Sequence, residues 1–144
     1  VACKCGLDAL DAFLAETEIL VVMLPLTPDT RGLLGARELA LLPRGSKLVN
    51  ASRGAVIDEA ALVKSLQAGH IAEATLDVFT VEPLPADHPL LGAPNLTVIP
   101  HLGSATHATR ERMADMAVDN LLAGLAGERM PDCANPEVYE TRRA

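Results

Sequence analysis

The chain has 144 residues, enough for one ordinary domain with one core. Hydrophobic residues make up 49% of it, yet its apolar runs are far shorter than a bilayer crossing, so a membrane-spanning protein is not expected. A net charge of −7 argues against nucleic acid or an anionic membrane as the main partner.

Asp8–Ala15 reads as a short helix leading into the first strand. Four apolar segments, Ile19–Leu26, Lys47–Ala51, Ala72–Phe79 and Leu96–Pro100, are rich in Val, Ile and Leu and lack clean polar alternation. That pattern predicts strands buried on both faces, as in a parallel sheet. Between the first two, Ala36–Leu42 reads as a helix stopped by Pro43-Arg-Gly45. After the second, Asp58 is a good N-cap, Glu59 adds negative charge to the first turn, Leu62, Val63 and Leu66 share a face, and Gly69 ends the helix. Strand–helix alternation predicts an α/β fold with right-handed crossovers. Thr80–Asn95 holds Pro83, Pro85, Pro89 and Pro94 and reads as a long ordered loop. A last helix, about Ala108 to Ala126, carries Met113, Met116, Ala117, Asn120, Leu121 and Gly124 on one face, and Gly127 closes it. Glu128–Ala144 is polar, with an irregular and loose end expected.

Cys3, Cys5 and Cys133 are odd in number, and their C-x-C spacing suits neither a disulfide framework nor a common zinc site. A reducing, cytoplasmic setting is therefore expected. The start, Val1-Ala-Cys-Lys-Cys, lacks the charged n-region and apolar h-region of a signal peptide, and a first residue other than Met suggests a piece of a longer chain. No metal-ligand cluster and no G-x-S-x-G nucleophile elbow stands in the sequence.

In parallel α/β sheets, ligands bind beyond the carboxyl ends of the strands. The segments expected there bring one Arg, two carboxylates and one His from different elements: Arg53, Asp77, Glu82 and His101. Each has a bland alternative. Arg53 could be a surface ion pair and Glu82 a solvated loop charge. Asp77, inside an apolar run, must be paired or ligand-facing, because a carboxylate is rarely buried alone. A lone His is more often structural, but beside a carboxylate His101 becomes a plausible general acid. His70, His88 and His107 lack such a setting and read as surface residues.

These segments, in order and at their spacing, resemble the D-2-hydroxyacid dehydrogenase family. The matching stretches are Leu24-Pro-Leu-Thr-Pro-Asp-Thr-Arg-Gly-Leu-Leu, Leu48-Val-Asn-Ala-Ser-Arg-Gly-Ala-Val-Ile-Asp-Glu-Ala-Ala-Leu, Leu76-Asp-Val-Phe-Thr-Val-Glu-Pro-Leu and Pro100-His-Leu-Gly-Ser-Ala-Thr. Within the family, His101-Leu-Gly-Ser-Ala-Thr-His-Ala-Thr-Arg, Ala117-Val-Asp-Asn-Leu and Cys133-Ala-Asn-Pro are most similar to bacterial glyoxylate/hydroxypyruvate (2-ketogluconate) reductases. The resemblance implies NAD or NADP as cofactor, a small 2-oxo acid as substrate and a homodimer for the full-length protein. It places the family's catalytic set on Arg53, Glu82 and His101. It places cofactor contacts on Leu24, Pro25, Thr30, Ala51, Arg53, Asp77, His101 and Gly103, with Asp77 meeting the nicotinamide carboxamide.

The family's G-x-G-x-x-G loop is not in this sequence and would precede Val1. The expectation is thus the C-terminal half of a Rossmann-type, doubly wound parallel sheet of about four strands, plus a long C-terminal helix. Residues 1–104 would belong to the cofactor domain, and 105–144 would be the helix and tail returning to the substrate domain. The lost first strand would neighbour Ile19–Leu26, leaving an apolar sheet edge. The 144 residues alone are not expected to turn over substrate. The competing readings are an inactive fragment and a dinucleotide-binding interaction module without turnover, and retention of all three polar residues speaks against the latter.

Overall fold

The structure, a computed structural model, describes residues 6–141. Cys3 and Cys5 lie outside the described residues. The chain divides into two compact units, one through Gly103 and one from Ser104.

In the first unit, helix α1 (Leu10–Ala15) precedes strand β1 (Ile19–Val22). Helix α2 (Ala36–Leu41) leads to β2 (Ser46–Asn50), and α3 (Glu59–Gln67) leads to β3 (Ile71–Leu76). A long loop then reaches β4 (Leu96–Val98). The four strands form one parallel sheet in the order β1-β2-β3-β4, as the sequence predicts. Helix α1 begins at Leu10 rather than Asp8, while α2 and α3 begin where expected. Gly35 N–H donates to Glu38 Oε2 at 3.1 Å at the start of α2, and Asp58 Oδ1 caps α3 by accepting from Ala61 N–H at 3.0 Å.

Every strand is shorter at its C-terminal end than its apolar run. In the first run, Pro25 has no N–H to give a ladder. The shortening places Val22, Asn50, Leu76 and Val98 in one row across the sheet. One more rung follows, with Ala51 N–H donating to Val22 O, Asp77 N–H to Asn50 O and Ile99 N–H to Leu76 O. Four loops therefore leave one edge side by side.

Burial on both faces is not what the structure shows. Leu20, Val22, Leu48, Ala74 and Leu76 face the core and meet Leu14 of α1, Leu39 of α2, and Leu62 and Leu66 of α3. On the opposite face Ile19 is 63% exposed and Val21 55%, and a Lys47–Glu73 ion pair of 2.9 Å lies in the open. The helices of this unit cover one face only, so strands composed for two covers show alternating burial. Among the described residues β1 is a sheet edge.

The Pro-rich loop contains a 3-10 turn, Pro89–Gly92, which the sequence reading missed. It forms because His88 Nδ1 accepts from Leu90 N–H at 3.3 Å while Leu90 is buried. His88 and His70 are half-buried rather than the surface residues expected.

In the second unit, α4 (His107–Leu125) is capped by the Thr106 hydroxyl, which accepts from Thr109 N–H at 3.2 Å. The tail is tied down through residue 141, and the end expected to be loose, 142–144, lies outside the described residues. Asn120 exchanges hydrogen bonds with Asp132, Tyr139 Oη accepts from Met130 N–H, Arg129 lies 5.0 Å from the Tyr139 ring centre, and a short helix α5 (Val138–Thr141) follows. Among the described residues no helix is long and apolar enough to cross a membrane, and no group of three or more His, Cys, Asp or Glu could hold a metal. Cys133 is a free thiol.

Candidate functional site

The loop after β1 is fixed by Thr30. Its buried hydroxyl donates to Pro25 O at 2.7 Å and accepts from Thr27 N–H at 2.8 Å. This shapes the turn while leaving Leu24 and Pro25 exposed.

The loop after β2 is organised by Asn50, which is 1% exposed. Its amide oxygen accepts from Ser52 N–H and Ser52 Oγ, and its nitrogen donates to Arg53 O at 3.1 Å. A buried amide needs such partners, and here they set the path that carries Arg53 outward. Arg53 is exposed, and Nη1 donates to Ser52 O at 2.6 Å. Ala51 sits half-buried at the start of this loop. Gly54 follows because nothing larger fits: a Cβ there would fall 1.9 Å from the carbonyl carbon of Phe79. The loop bearing Arg53 is thereby pressed against the one bearing Glu82.

The loops after β3 and β4 are joined by two carboxylates. Asp77 is 7% exposed, and its two oxygens accept from Leu102 N–H and Gly103 N–H, each at 2.7 Å. The pairing expected of this carboxylate is to those two peptides. Glu82 accepts from Phe79 N–H on Oε1 at 2.9 Å and meets His101 Nδ1 on Oε2 at 2.6 Å. His101 has φ 49, in the left-handed region, and Gly103 has φ 50. A non-glycine residue there is uncommon and must be held by its surroundings. Glu82 holds the ring and Asp77 holds the peptides just beyond it.

The His101 hydrogen bond, and next the Phe79 N–H, hold the Glu82 carboxyl below its ordinary value, and the Arg53 guanidinium acts in the same direction more weakly. An ionised carboxylate only accepts, so His101 Nδ1 carries its hydrogen, and Nε2 is the ring nitrogen left for proton exchange. Beside the pair opens a cavity of about 430 Å³ with Phe79, Pro83, Leu84, Leu91 and Ile99 in its wall.

The structure thus brings Glu82 and His101 into direct contact, puts Arg53 within their field, and ties Asp77 to Gly103. It places Leu24, Pro25, Thr30 and Ala51 at the ends of the two neighbouring strands. Sequence reasoning missed Asn50 as the organiser of the Arg53 loop. The signal was present, since an amide ending a buried strand must find partners locally.

Four parallel strands joined by helices and loops that leave one edge side by side are the architecture of part of a Rossmann-type NAD-binding domain. The chain belongs to the D-isomer specific 2-hydroxyacid dehydrogenase family: residues 2–103 match its NAD binding domain. It is 52% identical over 131 residues to glyoxylate/hydroxypyruvate reductase B of Pectobacterium carotovorum, covering 91% of this chain and 41% of that protein. The D-isomer specific 2-hydroxyacid dehydrogenase structure from Xanthobacter autotrophicus is 54% identical with a TM-score of 0.81, covering 91% of this chain and 43% of that one. The NADPH-dependent glyoxylate/hydroxypyruvate reductase of Sinorhizobium meliloti, in complex with NADP and malonate, is 40% identical with a TM-score of 0.77, covering 88% of this chain and 40% of that one. The chain spans about two fifths of the length of the curated relatives it matches, 41% for that of Pectobacterium carotovorum.

Proposed function

We propose that the chain is the distal part of a reductase that passes a hydride between NAD or NADP and a small 2-oxo acid or D-2-hydroxy acid of the glyoxylate or hydroxypyruvate type. The observation that carries this reading is the 2.6 Å His101–Glu82 hydrogen bond at the carboxyl edge of the sheet. The names of the relatives support the substrate class.

The strand ends suit a dinucleotide, with the backbone after β1 lining its adenosine–ribose side and Asp77 meeting the nicotinamide carboxamide. Leu24 and Pro25 stand exposed at the end of β1, and Gly103 has open space where a Cβ would stand. Together with Thr30, Ala51 and Asp77 they would hold the group. Asp77 keeps spare lone pairs for a carboxamide after accepting one peptide N–H on each oxygen. When bound, a nicotinamide supplies or takes up the hydride.

In the reductive direction, hydride addition to the carbonyl carbon leaves negative charge on its oxygen. His101, in its protonated form, gives that oxygen a proton from Nε2 and becomes neutral, completing the alcohol. Glu82 holds the ring by Nδ1 throughout. Arg53 grips the substrate carboxylate and polarises the carbonyl through charge-assisted hydrogen bonds. Residues 1–104 supply the cofactor side of this site, and 105–144 form the helix and tail that return to the substrate domain.

The test is nicotinamide absorbance in the complete protein carrying this chain, with glyoxylate or hydroxypyruvate. His101→Ala is expected to lower turnover by about two to four orders of magnitude, the usual worth of general acid–base catalysis. Near-normal turnover in that variant, or none in the parent, rejects the proposal.

A further inference from the structure

Glu59 opens α3, and a carboxylate in a first turn ordinarily serves the helix dipole. Here its oxygens are directed elsewhere. Oε1 accepts from Thr80 N–H at 2.7 Å, across 21 residues of chain. Oε2 stands 3.7 Å from His88 Nε2, and the Glu59 side chain is only 13% exposed. His88 is itself anchored, since its Nδ1 accepts from Leu90 N–H.

Thr80 is the second of two consecutive peptide donors aimed at carboxylates. The first, Phe79 N–H, goes to Glu82 Oε1. The same two residues are pressed on Gly54, where a Cβ would fall 2.3 Å from Thr80 N. The turn that delivers Glu82 is therefore gripped at three points: by Glu82 itself, by Glu59, and by the glycine that follows Arg53. Two of the three grips lie outside the turn, and only Glu59 among them is a side chain that a substitution can remove without adding bulk.

We propose that Glu59 is a positioning residue: through the Thr80 amide it fixes the Phe79–Glu82 turn, and so sets where Glu82 holds the His101 ring, with His88 bracing the carboxylate. This rests on the reading of Glu82 and His101 as the proton-transfer pair. Glu59 acts through the turn, so its loss moves the pair without removing either member. Small displacements of reacting groups are costly: about 1 Å of misplacement can cost on the order of a hundredfold in rate.

The experiment compares Glu59→Ala, Glu59→Gln and His101→Ala in the complete protein, measuring kcat, KM and backbone amide exchange. Glutamine keeps an oxygen that can accept from Thr80 N–H, whereas alanine keeps none. Glu59→Ala is expected to lower kcat by about ten- to a hundredfold with KM for the nicotinamide cofactor unchanged. Glu59→Gln recovers most of that loss, because a neutral acceptor retains about half the strength of a charged one. Exchange at Phe79 and Thr80 accelerates in the alanine variant while Leu62 and Leu66 in α3 keep their protection.

Parent-like kcat in Glu59→Ala beside an inactive His101→Ala overturns this role alone. Equal damage from alanine and glutamine, or lost protection spreading through α3, overturns it too, because Glu59 would then be serving the helix. Normal turnover in His101→Ala overturns the pair and this role together. Should the alanine variant not fold, Glu59→Asp, whose shorter arm cannot reach Thr80, takes its place with the same expected outcomes.

Discussion

The unit through Gly103 and the unit from Ser104 use apolar residues in opposite ways. In the first, Leu14, Leu39, Leu62, Leu48 and Leu76 are all but sealed from solvent. In the second, α4 buries no residue over its whole length: Met113 is 62% exposed, Leu121 61% and Leu125 77%. The sheet unit holds both sides of its main hydrophobic contacts, while among the described residues α4 leaves Met113, Leu121 and Leu125 largely uncovered. What makes a core is the partner surface, and helical periodicity alone does not supply one.

That contrast is open to attack by measurement. The largest effect is expected at Leu62, which is 0% exposed. Leu62→Ala should cost about 2–5 kcal/mol of unfolding free energy, from lost burial and the cavity left behind. Next comes Gly54, the junction of two site loops. Gly54→Ala forces a methyl against the Phe79 backbone and should cost about 1–3 kcal/mol or more, as overpacking does. If urea denaturation showed Gly54→Ala to be neutral, the two loops would not be pressed together as described.

Acidification probes the polar edge of the same unit. Glu82 has a native pKa below that of the unfolded chain, chiefly through the His101 hydrogen bond and then the Phe79 N–H. The stability it lends is fully present above the ordinary carboxylate range and drains away as pH falls through the native value. Its side chain is 35% exposed, so solvent screening keeps this contribution small. Stepped-pH denaturation of Glu82→Gln should show a flatter acid limb, and an unchanged limb would contradict the cause given. The smallest effect is expected in α4. Leu121→Ala in this chain should change stability by no more than about 0.5 kcal/mol, as exposed positions do. A loss comparable to that of Leu62→Ala would mean that the two units do not differ in the way stated.

Much of the fold was legible because it rests on local pattern. Val, Ile and Leu runs marked all four strands, and Asp58 and Gly69 bracketed α3 correctly. The run ends misled, because apolar residues such as Met23 and Leu24 continue past the last rung into the loops. The burial reading failed for a different reason: composition tells what a strand could bury, and the cover on each face is a matter of what packs there. In the tail, Tyr139 and Asp132 find partners eight or more residues away, beyond the reach of any local pattern. At the site, residue types and order brought Arg53, Glu82 and His101 forward for attention. Nothing local could show that Glu59 reaches Thr80, or that Asp77 takes the peptides of Leu102 and Gly103.

By itself, the sequence settled the four strands, the main helices and their order, and brought Arg53, Asp77, Glu82 and His101 to the strand ends, since these follow from side-chain pattern and backbone preference along the chain. The tertiary structure alone decided which groups meet. The Glu82–His101 bond, the grip of Gly54 on Phe79 and the reach of Glu59 are short-range contacts between residues distant in sequence, and such contacts exist only once parallel strands in register bring their loops to a common edge.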